Sequence, residues 1–126
     1  MARRVFQAIH RHPIQISVKT HGIALSENLH RVIRGSISAA IGRFSQRVRG
    51  VFVWVEDTNG PKGGRGMRCR MDIRLKQGSR LTVSAEAANE YAAVGRAANR
   101  ARIRLVRTID KVRRARREAP VGAIAL

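Results

Sequence analysis

The sequence predicts an α+β domain in which two helices pack on one face of a four-stranded sheet, in the order β-α-β-β-β-α. Four segments alternate apolar and polar residues, as half-buried strands do, and two longer segments repeat apolar residues every three or four positions. The chain has 126 residues, enough for one domain with a modest core. Because each element has a single apolar face, the simplest packing is a two-layer sandwich.

The first half of the chain contains the first β-α-β unit. Residues 14–20 alternate Ile14, Ile16 and Val18 with polar residues, which predicts a strand. Ser26 is a favourable N-cap for the first helix, whose apolar face consists of Leu29, Ile33, Ile37, Ala40 and Phe44. A second strand over residues 48–57 places Val51, Val53 and Val55 inward and Phe52 and Trp54 outward.

The second half contains a hairpin and a long helix. Residues 59–66 read NGPKGGRG and predict a flexible loop. A third strand over residues 67–76 alternates cleanly, and a tight turn at 77–79 leads to a fourth strand over residues 80–87. The last helix runs from about Asn89 to Arg114, with the seam Tyr91, Val94, Ala98, Ala101, Leu105, Ile109 and Val112. We therefore predict a domain at 14–117, a flexible basic arm at 1–13 and a tail at 118–126.

The charge is the strongest compositional signal. Lys and Arg number 26 against 8 acidic residues, a net charge of +18, and 22 of the 26 are Arg. Such a chain is expected to work beside a polyanion, with nucleic acid as the first candidate and an anionic membrane surface as the second. Arg favours nucleic acid because its planar group matches phosphate and stacks on bases.

Several classes of protein find no support in the sequence. No apolar run approaches the roughly 20 residues that cross a bilayer, and residues 1–13 lack a secretory core. The single cysteine, Cys69, allows no intramolecular disulfide and suits the cytoplasm. No metal-ligand spacing appears, no nucleophile has a recognisable base, and the Gly-rich loop lacks the phosphate-loop pattern. We therefore predict a binding protein with no catalytic residue, cofactor or metal.

The last helix predicts the main binding surface. Residues 90–117 hold ten basic residues and two acidic ones, and like charges four positions apart destabilise a helix unless a ligand neutralises them. The predicted RNA-binding residues lie on this helix, on the first helix and on the outer face of the third strand: Arg96, Arg100, Arg104, Arg107, Lys111, Arg114, Arg31, Arg34, Arg68 and Arg70.

Three other side chains have predicted roles. Phe52 and Trp54 share the outer sheet face with the arginines of the third strand, and we favour cation–π contacts with them over stacking on bases. Tyr91 is predicted to be a core residue with its hydroxyl at the edge. Glu86, at the end of the fourth strand, is predicted to form an ion pair with the basic helix.

The element order and several motifs resemble the ribosome hibernation promoting factors, also called ribosome-associated translation inhibitors. The likeness spans about residues 14–114 and is carried by IQISVKTHGIALSENL, VFVWVED and above all LTVSAEAANEYAAV. The family's basic positions on the second helix match Arg100, Arg107 and Lys111, whereas a common Arg is Ile103 here. On the first helix His30, Ser36 and Ala39 stand where the family is basic, and Arg31, Arg34 and Arg43 are neighbouring substitutes.

The resemblance implies a binding site in the channel between the head and body of the small ribosomal subunit. A protein there occupies space that mRNA and tRNA need, so it silences translation and protects the ribosome. Long members carry a further domain that pairs ribosomes, and this chain resembles the short form, expected to be monomeric when free. Three alternatives stay open: a general binder of double-stranded RNA, a small nucleic-acid hydrolase and a membrane-surface protein.

Overall fold

The computed structural model describes residues 14–59 and 66–118, which contain four strands and two α-helices. The strands are β1 (Gln15–His21), β2 (Val48–Asp57), β3 (Met67–Leu75) and β4 (Arg80–Ala87). The helices are α1 (Glu27–Ile41) and α2 (Glu90–Glu118), and a 3-10 helix, Gly42–Arg47, follows α1 directly. The predicted order is confirmed. The predicted arm at 1–13, the interior of the predicted loop and the tail after residue 118 lie outside the described residues.

The sheet has the strand order β1-β2-β3-β4. β1 pairs in parallel with β2, while β3 is antiparallel to both of its neighbours. A parallel pair needs a crossover connection, and α1 supplies it. The two helices begin side by side, and a hydrogen bond links their first turns: the Asn28 side-chain amide donates to the Tyr91 hydroxyl at 3.1 Å.

One face of the sheet and the inner faces of both helices form a continuous core. The predicted inward residues of β2, β3 and β4 are buried there, except Met67, which is half-buried against the core. Leu29, Ile33, Ile37 and Ile41 of α1 and the alanine-rich seam of α2 complete this core. Both helices therefore lie on the same side of the sheet, as predicted, and Phe52, Trp54, Arg70 and Arg74 lie on the other side.

Local signals explain where the helices begin. The Ser26 hydroxyl accepts a hydrogen bond from the Leu29 amide at 3.0 Å, and the Asn89 side chain accepts one from the Ala92 amide at 2.8 Å. The first helix was predicted to continue through Phe44, and this end is wrong. The backbone leaves the α region at Ile41 and continues as a 3-10 helix. Gly42 lowers the helix propensity at that point. Phe44 still packs against the core as a half-buried residue.

The turn between β3 and β4 requires a glycine. Gly78 has a φ of +104°, a backbone conformation that L side chains rarely adopt. The Leu75 amide donates to the Ser79 carbonyl at 2.9 Å and closes the turn. The predicted hairpin is thus confirmed.

The buried thiol of Cys69 leads to a prediction about alkaline stability. Its exposure is 0 %, and burial raises its pKa from 9.0 to about 12. The unfolded thiol ionises near pH 9, whereas the folded one does not. The contribution of the buried thiol to the free energy of unfolding is therefore complete below pH 9 and is lost as the pH rises toward 12. At about pH 10 the free energy of unfolding of wild type should have fallen by about 1 to 2 kcal/mol because of this group.

Urea unfolding of wild type and of Cys69→Ala at about pH 7.5 and pH 10 measures this contribution. The difference in free energy of unfolding between the two proteins should shrink by about 1 to 2 kcal/mol at the higher pH, because only wild type carries the thiol. A difference that does not change with pH would show that the thiol ionises as easily in the folded chain as in the unfolded one.

Candidate nucleic-acid interface

Six of the predicted RNA-binding residues form one exposed stripe along α2. Arg96, Arg100, Arg104, Arg107, Lys111 and Arg114 follow one another at spacings of four, four, three, four and three. Residues three and four apart are neighbours on a helix surface, so the six side chains make a continuous row. All six are exposed. We call this row the helix stripe.

The start of the helix stripe fixes its position relative to the sheet. A guanidinium nitrogen of Arg96 donates to the Glu86 carbonyl at 2.8 Å, and Arg100 donates to the Ser84 carbonyl. Both acceptors belong to β4, the edge strand of the sheet. The helix stripe therefore lies on the β4 side of α2, and its first two members also cover carbonyls of an open sheet edge.

The basic side chains of α2 outnumber the acidic ones on the helix, Glu90, Asp110 and Glu118, and form no salt bridge among the described residues. All eight acidic residues of the sequence lie in the described segments, and the three salt bridges found there all join residues of the sheet. No residue of α2 takes part in one across residues 14–59 and 66–118. Ten basic side chains therefore repel one another along one helix, an arrangement that a bound polyanion would stabilise.

The basic end of α2 extends beyond the packed core. The last buried residue of the helix is Ile109. The following segment, residues 110–118, is about 13 Å long at 1.5 Å per residue and has no buried residue. It carries Lys111, Arg113, Arg114, Arg116 and Arg117. This end of the helix can reach a partner that the sandwich itself does not contact.

The structure places the other four predicted residues on two separate surfaces. Arg31 and Arg34 of α1 line a shallow depression whose wall comes from residues 25–34. Arg68 and Arg70 lie on the outer face of β3, opposite the helices. The ten predicted residues thus form one large group of six and two pairs, rather than a single patch.

Arg68 is the predicted residue whose charge is most fully neutralised. Its guanidinium contacts Glu86 at 3.0 Å and Glu56 at 3.2 Å, and the hydrogen bond and charge of Glu86, then those of Glu56, raise its pKa. The predicted ion pair between Glu86 and the basic helix is therefore wrong. Glu86 faces Arg68 in the strand register, and the helix reaches only its backbone carbonyl, through Arg96.

The aromatic pair on the outer sheet face has the predicted cation–π contacts. The Arg70 guanidinium carbon lies 4.6 Å from the centre of the Trp54 ring, and that of Arg74 lies 4.6 Å from the centre of Phe52. Arg74 was not among the ten predicted residues, although strand alternation already placed it outward. The buried Asp72 on this face was also missed, because its burial depends on side chains from neighbouring strands.

Tyr91 is not a core residue, contrary to the prediction. Its side chain is 38 % exposed, and its hydroxyl accepts the hydrogen bond from Asn28. At the start of α2 the fully buried positions are Ala93, Val94 and Ala97. The small alanine side chains let the helix approach the sheet closely. Because the helix face with these residues is turned to the sheet, Tyr91 lies beside this face and points toward α1.

Neither a cluster of metal ligands nor a membrane-spanning helix is found in the described segments. Residues 14–59 and 66–118 contain no group of three or more His, Cys, Asp or Glu side chains that could hold a metal ion. In the same residues no helix is both long and apolar enough to span a membrane. Cys69 lies in the core, away from solvent.

Two solved structures have the same fold as this chain. A ribosomal subunit interface protein from Coxiella burnetii superposes with a TM-score of 0.67 at 13 % identity, covering 77 % of this chain and 99 % of that one. The N-terminal domain of Thermus thermophilus Protein Y superposes with a TM-score of 0.62 at 15 % identity, with the same coverage. These likenesses establish the fold. Among curated proteins, none matches the chain.

The family follows from the sequence match. Residues 16–113 match the family described as sigma 54 modulation protein / S30EA ribosomal protein. The match begins at the second residue of β1, includes α1 and the rest of the sheet, and ends five residues before the end of α2, so it covers well over half of the chain. The resemblance inferred from LTVSAEAANEYAAV and the element order is confirmed. The chain therefore belongs to the sigma 54 modulation protein / S30EA ribosomal protein family.

Proposed function

We propose that this protein binds the small ribosomal subunit and inhibits translation as a short hibernation factor. The single observation that carries the proposal is the helix stripe on a domain of this family, six exposed basic residues that form no salt bridge within residues 14–59 and 66–118. The solved structure from Coxiella burnetii is described as a ribosomal subunit interface protein. Ribosomal RNA is the polyanion that such a protein meets, and the proposed compartment is the cytoplasm.

The proposed mechanism is steric. The protein would occupy the channel that mRNA and tRNA use, with α2 along ribosomal RNA and the sandwich filling the space beside it. The helix stripe would bind phosphates first, with Arg31 and Arg34 making further contacts from α1. Arg68 and Arg70, on the opposite sheet face, would reach RNA only if the channel encloses the protein on both sides. The mechanism requires no cofactor, small-molecule substrate or catalytic step.

Sedimentation with ribosomes tests the proposal. The protein should comigrate with small subunits and whole ribosomes at low salt, and addition of mRNA and tRNA beforehand should reduce its binding. Because affinity would come largely from released counterions, six phosphate contacts predict a slope of log K against log salt of about −4 to −5. A protein absent from every ribosomal fraction at low salt would contradict the proposal.

A general binder of double-stranded RNA is the main alternative. It would read the shape of an A-form duplex through phosphates and 2′-hydroxyls. Competition between ribosomes and a plain RNA duplex separates the two functions. A hibernation factor should stay on ribosomes when duplex is present in excess, whereas a general binder should redistribute in proportion to the RNA offered.

A further inference from the structure

The outer face of the sheet combines two stacked aromatic rings with basic groups that form no salt bridge among the described residues. Phe52 and Trp54 of β2 are half-buried, and their ring centres are 6.0 Å apart with planes inclined by 24°. Both helices pack on the opposite side of the sheet, so they leave these rings uncovered. The face is separate from the helix stripe.

The charges on this face are arranged around the rings. Lys19, Trp54 and Arg70 occupy one row across β1, β2 and β3. Across the described residues, Lys19, Arg70 and Arg74 form no salt bridge. The carboxylate nearest the centre, Asp72, is 2 % exposed and accepts hydrogen bonds from Thr82 at 3.1 Å and Arg80 at 3.5 Å. In the row of Trp54 the exposed charged groups are therefore basic, and the acid in the row of Phe52 is shielded from solvent. The exposed carboxylates of this face, Glu56 and Glu86, lie in the next row and are both paired with Arg68.

We infer that this face is a second RNA-binding surface, and that it binds unpaired nucleotides by stacking their bases on Trp54 and Phe52. Aromatic rings on an electropositive surface bind single strands without sequence preference, because every base has a flat π-face. The RNA recognition motif uses the same principle, with aromatic residues on one face of a four-stranded sheet. The surface goes beyond the proposed ribosome contact of the helix stripe and does not depend on it.

The arginines over the rings explain how a base can be admitted. Arg70 and Arg74 lie at 4.6 Å from the ring centres in the free protein. A cation–π contact at an exposed site is weaker than the stacking of a base on the same ring. A base can therefore replace the guanidinium, which turns toward the phosphate beside that base. The two rings are already stacked side by side in the free protein, so binding does not have to bring them together, which lowers its entropy cost.

Trp54 is the only tryptophan in the chain, so its fluorescence reports on this surface alone. An oligouridylate of about ten nucleotides, which has little structure of its own, should quench its emission to saturation. An RNA duplex of the same length should not, because its bases are already stacked inside the helix. Binding of the oligouridylate without any change in Trp54 emission would overturn the inference, as would equal quenching by the duplex.

Variants connect the signal to stacking. Phe52→Leu should weaken oligouridylate binding about fivefold or more, and so should Trp54→Leu, measured by anisotropy of labelled RNA. Trp54→Phe keeps a ring and should stay within about threefold of wild type. Thermal unfolding identifies any variant that fails to fold, and the wild-type quenching experiment stands without variants. If folded Trp54→Leu bound oligouridylate as tightly as folded Trp54→Phe, the inference would be contradicted.

A helix-stripe variant separates this surface from the ribosome contact. Arg107→Glu with Lys111→Glu should leave saturating quenching of Trp54 by oligouridylate intact, because both residues lie on the other side of the sheet. Loss of all quenching in this variant would assign the single strand to α2 and overturn the inference. Conversely, a protein that fails to sediment with ribosomes but retains the quenching would contradict only the proposed function.

Discussion

Arg107→Glu combined with Lys111→Glu is expected to lower the affinity for small ribosomal subunits by at least about 25-fold at 0.1 M salt. Both side chains are exposed in the middle of the helix stripe, and neither belongs to one of the salt bridges of the described residues. Removing two phosphate contacts costs about this factor through lost counterion release alone, and the new carboxylates add repulsion. Binding measured between about 0.05 and 0.2 M salt should also show a shallower slope, by about one for each contact.

Arg102→Glu combined with Arg113→Glu is the matched control. These residues lie on the same helix and are also exposed, but at 100° per residue they lie far around the helix from Arg107 and Lys111. The change in net charge is identical, so a general electrostatic effect would weaken both variants alike. We expect the control to retain affinity within about threefold. Equal losses in the two variants would show that total charge, rather than the helix stripe, determines binding.

The fold could be predicted because its signals are local. Each strand alternates, each helix begins at a side-chain cap, and the turn contains a glycine with the required backbone freedom. Predictions failed where packing between elements decides the outcome. Tyr91 has the hydropathy and spacing of a seam residue, yet Ala93 and Ala97 are the buried neighbours because they allow close contact with the sheet. The change of helix type at Ile41 likewise depends on the backbone's route into β2.

The site was predictable in composition but not in arrangement. Helical spacing alone is enough to place the six residues of the helix stripe in one row. It does not show that Arg96 and Arg100 reach carbonyls of β4, because that contact depends on which side of α2 faces the sheet edge. Nor does it show that Arg68 lies between Glu56 and Glu86, since cross-strand register is set by pairing over long sequence distances.

The apolar seam of α2 is what gives the helix stripe its orientation. Leu105 lies in the middle of the seam with 0 % exposure, between Ala101 and Ile109, which are also buried. Arg104 and Arg107 flank it in sequence and point to solvent. The direction in which the arginines point is therefore determined by which residues pack against the sheet. A substitution at Leu105 can therefore test whether stability and ribosome binding depend on different residues of the same helix.

Leu105→Ala is expected to reduce the free energy of unfolding by about 3 to 5 kcal/mol, because the change leaves a cavity that a packed core closes only in part. Urea unfolding measures the loss, with Ile103→Ala as the control. Ile103 is half-buried on the same helix, so its truncation should cost under about 1.5 kcal/mol. Equal costs at the two positions would mean that α2 does not pack through this seam. Among molecules that remain folded, Leu105→Ala should bind ribosomes as wild type does, because the helix stripe keeps its charges and its orientation.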